Sequence, residues 1–462
     1  GGLAPAATSG SAPLSLLSIR GRYRFLDPAT NMGAKLHLMY NGAILPRMKR
    51  GSVLREMWKT PAGRGFIMLA VMSAAFGFAM NAHTNIVTNY FEEVLHFSGP
   101  QFGYITAIRE VGGFVLIFLT ALFYRISLQR VTAGALVILA IGYGLFATAG
   151  SFLTVIPWVL VTSFGFHTVL QTQSYLGMSL TTEERSGTIL GRMGAFTQGG
   201  TFLAYLMIFL VFQFRWLSFE PTFIILGVLA FVAALSIVRF PHLQDGRPRD
   251  TAPKREPIVF KREYHYYYWL NLLDGARQQI FFSFGLWVLV NRFGFKVPQI
   301  SLLLLVITFA GMITAPRLGR WVDRRGERLT LSVVNLFYVI ALAGYALTPN
   351  VWLACVFYLI YAIISPLSFI GGSTYLRKIA VPEDVAPSLA MGVTLLHATA
   401  IIVPVVAGYI LNFTGYQIPF FIACGFALIN FVVTLRLDPL KQRSRARIAL
   451  DEATGRFSAS TS

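Results

Sequence analysis

Arg109, Glu110, Asp274, Arg277 and His397 sit inside stretches that are otherwise apolar enough to span a bilayer. A charge at the bilayer centre costs about 2.5–3.5 kcal/mol on insertion scales, so such groups usually turn inward, pair, and mark a polar path. Glu110 and Asp274 are the two carboxylates within the spans and hence the candidates for carrying a proton, with His397 as a third titratable group. Arg109 and Glu110 are adjacent and point about 100° apart on a helix, so they cannot both face one cavity. Asp274 and Arg277, three residues apart, can pair along their own helix. Helical rise also brings Glu110 and Arg277 to within roughly 6 Å of the same depth, a gap that a long arginine can bridge. The local pair and the bond between helices both stay open.

The elements that must position these groups are membrane helices. Of 462 residues, 55% are hydrophobic and 13% charged, a composition for the bilayer rather than for water. With about 20 apolar residues per span, the chain predicts twelve helices, the first near 65–90 and the last near 416–436. Nearly all of the 39 Lys and Arg fall in alternate connections and the two ends. The opposite face carries only Arg215, Arg292 and Lys296, and Arg109 and Arg277 lie within spans. The positive-inside bias therefore puts both termini in the cytoplasm, with the inner membrane as the expected location. It also accounts for the net charge of +19 as orientation and attraction to lipid, without nucleic acid. Residues 1–64 read as a basic, disordered tail without a signal peptide, and a start at Met48 would leave a short leader. Cys355 and Cys424 both fall in spans, so no disulfide framework is expected. With no metal-spaced His or Cys cluster, phosphate-cradling loop or nucleophile motif, the chain predicts no cofactor, no metal and no enzyme.

The polar interval 240–263 separates two sets of six spans, 65–239 and 264–436, and a basic tail follows from 437 to 462. The halves echo each other about 200 residues apart: Gly113 precedes Ala121 by eight positions, as Gly311 precedes Gly319. Equal orientation at equal offset signals a parallel repeat of two bundles. After the eighth span comes Gly319-Arg320-Trp321-Val322-Asp323-Arg324-Arg325-Gly326-Glu327-Arg328. This stretch, with the twelve spans and the long middle loop, resembles the major facilitator superfamily over about residues 65–436. The corresponding first-half stretch has Arg125 where the signature has Asp. The resemblance implies an all-α integral membrane fold of two six-helix bundles that rock by alternating access. It also implies that Gly319, Arg320, Asp323, Arg324, Gly326 and Arg328 latch the bundles at the cytoplasmic face.

In that superfamily helices 1, 4, 7 and 10 line the cavity, and here each carries a polar stripe. Helix 1 has Asn81, Asn85, Thr88 and Asn89, and helix 4 has His167, Gln171, Ser174 and Tyr175. Helix 7 has Asn271, Asp274, Arg277 and Gln278, and helix 10 has Tyr358, Tyr361, Ser365 and Ser368. Asn81, Asn85, Arg109, His167, Gln171, Asn271, Arg277, Gln278, Tyr361 and Ser365 are the candidate cavity residues. Each stripe also has a bland reading, as hydrogen-bonding glue between helices. The expected function is secondary transport of a small solute by a monomer in lipid, with protons as candidate coupling ions. Two intramembrane arginines favour an organic anion. Two alternatives stand: proton-coupled export of amphiphilic compounds, and a non-transporting assembly factor or sensor. Helix 5 has Gly187, Gly191, Gly194, Gly199 and Gly200 but lacks the Gly-Pro pair of many drug–proton antiporters, which weakens the export reading.

Overall fold

The computed structural model describes residues 53–119, 126–181, 186–241 and 260–453. The chain forms two compact units, Gly1–Met57 and Trp58–Ser462. Of the first, only the start of the short helix Val53–Lys59 is described. Residues 1–52 of the expected tail, the stretch 120–125, and 242–259 of the middle loop lie outside the described residues, whereas 53–64 are helical rather than a loose tail.

The second unit is helical, with no strand among its described residues. Its membrane helices are α1 (Pro61–Glu93), α2 (Gly99–Leu119), α3 (Leu128–Phe146), α4 (Phe152–Met178), α5 (Ser186–Gln213) and α6 (Phe219–Val238). After the loop come α7 (His265–Asn291), then the 51-residue run Val297–Leu347, which Gly326 breaks into α8 (297–325) and α9 (327–347). Next are α10 (Val351–Ile364, continued as Pro366–Ile379), α11 (Pro382–Thr414) and α12 (Gln417–Leu435). Among the described residues nine helices, counting the 51-residue run once, are long and apolar enough to cross a membrane by length and composition. Gly99–Leu119 and His265–Asn291, which carry the charges, complete the twelve.

Local chemistry sets the ends. Thr60 caps α1 by accepting from the Gly63 amide at 3.1 Å, with Pro61 in the first turn. Ser151 and Thr154 form a reciprocal capping box on α4, so donors that have no helical acceptor are satisfied. Gly326 adopts φ 75° and Gly415, after α11, φ 85°; both are left-handed positions open to glycine without strain. Pro366 removes an amide donor and interrupts α10 at Ser365.

Within the first bundle α1 packs on α5 and α6, and α3 on α4 and α6. In the second, α7 packs on α11 and α12, and the 51-residue run on α12 and α10. The bundles meet chiefly along α2 with α11 and along α5 with the 51-residue run. Advancing six helices exchanges α2 for α8 and α5 for α11, the pairing a two-fold repeat requires. Large apolar side chains such as Leu153, Ile224, Leu235, Ile402 and Ile429 remain exposed and form the surface for lipid. The segment after α12 is not a loose tail throughout. Helix α13 (Arg445–Ala453) is tied to the end of α10, where the Ser444 amide donates to the Ile379 carbonyl at 2.9 Å and Arg447 to the Ala380 carbonyl at 3.2 Å.

Candidate functional site

Twelve spans place both ends of the membrane domain on one side, here the terminal side. Cross-bundle bonds gather on the other, far side. The buried Asn85 amide donates to Ser301 Oγ at 2.8 Å, and Asn89 to the Phe295 carbonyl at 2.9 Å. Lys296 pairs with Glu93 at 2.9 Å, and Asn291 donates to Glu92 at 2.5 Å. The Tyr104 and Tyr409 hydroxyls meet at 3.1 Å. Glycine permits the close approach of α2 and α11: a Cβ at Gly99 would lie 2.8 Å from the Gly408 carbonyl oxygen. Phe102 packs on Phe284 and Trp287 just inside. The far end is closed.

Between the midplane and the terminal side, the second bundle holds a recess of about 250 Å³. Its lining includes Asn271, Asp274, Gln278, Ser365, Ser368 and Asn430, from α7, α10 and α12. Asn271 donates its amide to the Tyr267 carbonyl at 2.7 Å. The Asn430 side-chain oxygen is buried without a partner, a polar atom able to receive a donor. The polar part of the lining is therefore amide, hydroxyl and one carboxylate, set among Leu270, Leu331, Phe369 and Leu396.

Arg277 does not line this recess. It is 0% exposed and bonds to Asp274 and to the Tyr361 hydroxyl. The Tyr338 ring lies 3.4 Å from its guanidinium carbon, a desolvated cation–π contact. Of the two pairings open to Arg277, the structure forms the one along α7. Glu110 does not reach it. Tyr361, also 0% exposed and stacked on Phe281, belongs to this packed assembly and not to the cavity wall.

Glu110 instead joins a second polar cluster at the inner edge of the closed far end. Its Oε2 lies 3.2 Å from His397 Nδ1 on α11, and its Oε1 is 3.3 Å from the Arg109 guanidinium. The Glu110 side chain is 13% exposed and that of Arg109 52%, so the adjacent pair divides into a buried acid and a half-solvated base. His167 reaches the same place from α4, its ring 5.9 Å from that of His397. Its Nδ1 sits 2.9 Å from the Ser163 carbonyl, and Gly113 leaves the ring room, since a Cβ there would come within 3.1 Å of it.

The other expected residues divide. Asn81 spans α1 and α5, donating to Thr201 at 2.8 Å and accepting from Tyr205 at 3.1 Å; its bonds are those of glue within one bundle. Asn85 is glue between bundles. Gln171 is exposed on α4. In the loop signature, Gly326 is the helix break, and Gly319, Arg320, Asp323, Arg324 and Arg328 sit on the helices flanking it. Asp323 is exposed and has no ion pair among the described residues. The ionic tie nearby is Glu327 to Lys378, at 2.8 Å. Sequence spacing does not single out Ser301, Tyr338, Ser163 or Asn430. Only their polar character inside spans pointed to them, and many satisfied serines and tyrosines share it.

Residues 267–458 match the family model of the Major Facilitator Superfamily. No match is found among curated protein sequences. The nucleoside transporter NupG superposes with a TM-score of 0.67 at 16% identity, covering 81% of this chain and 100% of its own. A bacterial homolog of the human lysosomal transporter Spinster, in an inward-facing and unoccupied conformation, gives 0.64 at 14% identity, covering 84% and 99%. Both likenesses extend the fold over the first half, where the family model does not reach. With two six-helix bundles joined at α2–α11 and α5–α8, this multi-pass membrane protein has the fold of those transporters, and its second bundle matches the Major Facilitator Superfamily model.

Proposed function

We propose that this chain is a secondary transporter of a small polar solute, working by alternating access and seen here with its far end shut. The carrying observation is the asymmetry across the midplane: cross-bundle bonds from Asn85 to Lys296 on one side, the Asn271–Asp274–Asn430 recess on the other. Rocking one bundle against the other exchanges these conditions, as a parallel repeat allows. Charge asymmetry orients the terminal side to the cytoplasm, which makes this an inward-facing state of an inner-membrane protein. We take it to act as a monomer in lipid.

The recess favours a neutral, hydrogen-bonding solute over an organic anion. Arg277 is already committed to Asp274 and two tyrosines, and an anion in the recess would face the Asp274 carboxylate unaided. Amphiphilic cargo is disfavoured by size, since about 250 Å³ falls below the range of about 300–1,000 Å³ usual for drug-sized ligands. NupG is by name a nucleoside transporter, and a nucleoside has the neutral, multi-donor character this lining would bind. Proton coupling, if present, would use Asp274, the carboxylate on the solute recess.

The test is counterflow in reconstituted vesicles, screening nucleosides, sugars, carboxylates and lipophilic cations with and without a pH gradient. Counterflow of a neutral polar solute that is weakened in Gln278→Ala, a change in the recess lining outside the Asp274–Arg277 pair, supports the reading. Counterflow of carboxylates alone would overturn the solute class, and no counterflow of any class would favour a sensor or assembly role.

A further inference from the structure

Glu110, His167 and His397 come from three helices and two bundles, yet one donor atom from each lies within 4.8 Å of the others. We propose that they bind a divalent transition-metal ion of the zinc class, which clamps the far end shut by tying α2 and α4 to α11.

Two imidazoles and a carboxylate are a borderline-soft set suited to zinc and its neighbours rather than to magnesium or calcium. Zinc–nitrogen and zinc–oxygen bonds of about 2.0–2.1 Å at tetrahedral angles put adjacent donors roughly 3.3 Å apart. Glu110 Oε2 and His397 Nδ1 stand 3.2 Å apart, so two of three donors already have that separation. His167 closes the set by moving on the order of 1.5 Å, within reach of a side-chain rotation.

The surroundings of His167 suit a ligand. Its Nδ1, 2.9 Å from the Ser163 carbonyl, is held as the donor, which leaves the Nε2 lone pair for a metal; ligating histidines are normally oriented in this way. Ser163 in turn donates to the Arg109 carbonyl, locking α4 to α2 at that level. Arg109 opposes a cation, but its side chain is 52% exposed and can leave Glu110 for water when an ion arrives. A fourth position remains for water or solute, as in open zinc sites.

The site exists only while α11 lies against α2. An ion held there favours the far-closed arrangement, since a ligand shifts an equilibrium by its differential affinity for the two states. The inference is independent of which solute is carried, and its test needs no transport.

Full-length, tag-free protein in detergent, stripped with chelator, is titrated with Zn²⁺ by calorimetry at pH 7.5. One saturable site of micromolar affinity or tighter is expected. His167→Asn and His397→Asn, tested separately, should each weaken it at least tenfold, and Glu110→Gln likewise. His265→Gln, altering an exposed histidine outside the cluster, should leave it unchanged. Co²⁺ should give visible ligand-field bands of four- or five-coordinate intensity that vanish in His397→Asn. If His397→Asn does not fold, His167→Asn carries the same test from the other bundle. No saturable site below about 100 μM, or equal affinity in wild type and both histidine variants, would overturn the proposal.

Discussion

Arg277 shows how little a residue type settles until its neighbours are known. In an open cavity it would be an anion hook, but here Asp274 neutralises it and Tyr338 and Tyr361 cover it. Removing one partner of such a pair leaves an uncompensated buried charge, at a cost of about 3–5 kcal/mol. Arg277→Met and Asp274→Asn should each lower thermal stability sharply, whereas the double variant should recover part of the loss. Melting temperatures of the four proteins in a double-mutant cycle check this; strictly additive losses would show that the pair is not coupled. Tyr361→Phe keeps the ring and removes one hydrogen bond to a charged group, worth about 1.5–3 kcal/mol. It should lower stability less than Arg277→Met does.

At the scale of elements, the far-end closure depends on two helices approaching without side chains between them. Gly99 on α2 faces Gly408 on α11, and Gly103 faces Pro404. Gly408→Val inserts volume into backbone contact and should penalise the closed far end by about 1–3 kcal/mol, roughly a 5- to 150-fold shift of population. In a Cys355→Ser, Cys424→Ser background, a cysteine replacing the buried Ser301 reports that opening. Its alkylation by an impermeant reagent should rise when Gly408→Val is added, and an unchanged rate would show that α2–α11 contact does not govern closure. The loop signature behaves differently. Exposed Asp323 without an ion pair among the described residues costs nothing to neutralise in this state. Asp323→Asn should therefore leave melting within about 0.5 kcal/mol of wild type, while slowing turnover if the latch forms in the opposite state.

For the whole molecule, the balance between its two arrangements should follow the inventory of cross-bundle bonds. Asn85→Ala and Asn89→Ala together delete two amide bonds and leave Ser301 Oγ and the Phe295 carbonyl without those donors. Each buried bond so broken costs about 1–3 kcal/mol, and both costs fall on the far-closed state alone. Spin labels at Val94 and Leu347, both exposed near far-side helix ends, should show a longer distance population in the double variant. A distribution identical to wild type would mean that closure rests on the apolar packing of Phe102 with Phe284 and Trp287.

The sequence by itself determined the class and the twelve spans, because bilayer thickness imposes length and hydropathy on every span. It also placed the Asn271–Asp274–Gln278 stripe, since helical periodicity is local. Which polar groups meet was decided by tertiary structure. Asn81 and Asn85 share one stripe on α1, yet one binds within its bundle and the other across to α8; partner helices, not spacing, make that difference. Glu110, His167 and His397 are separated by 57 and 230 positions in the chain, with no motif to join them. Their convergence follows from the crossing of α2, α4 and α11, and so does the covering of Arg277 by Tyr338 from α9 and Tyr361 from α10.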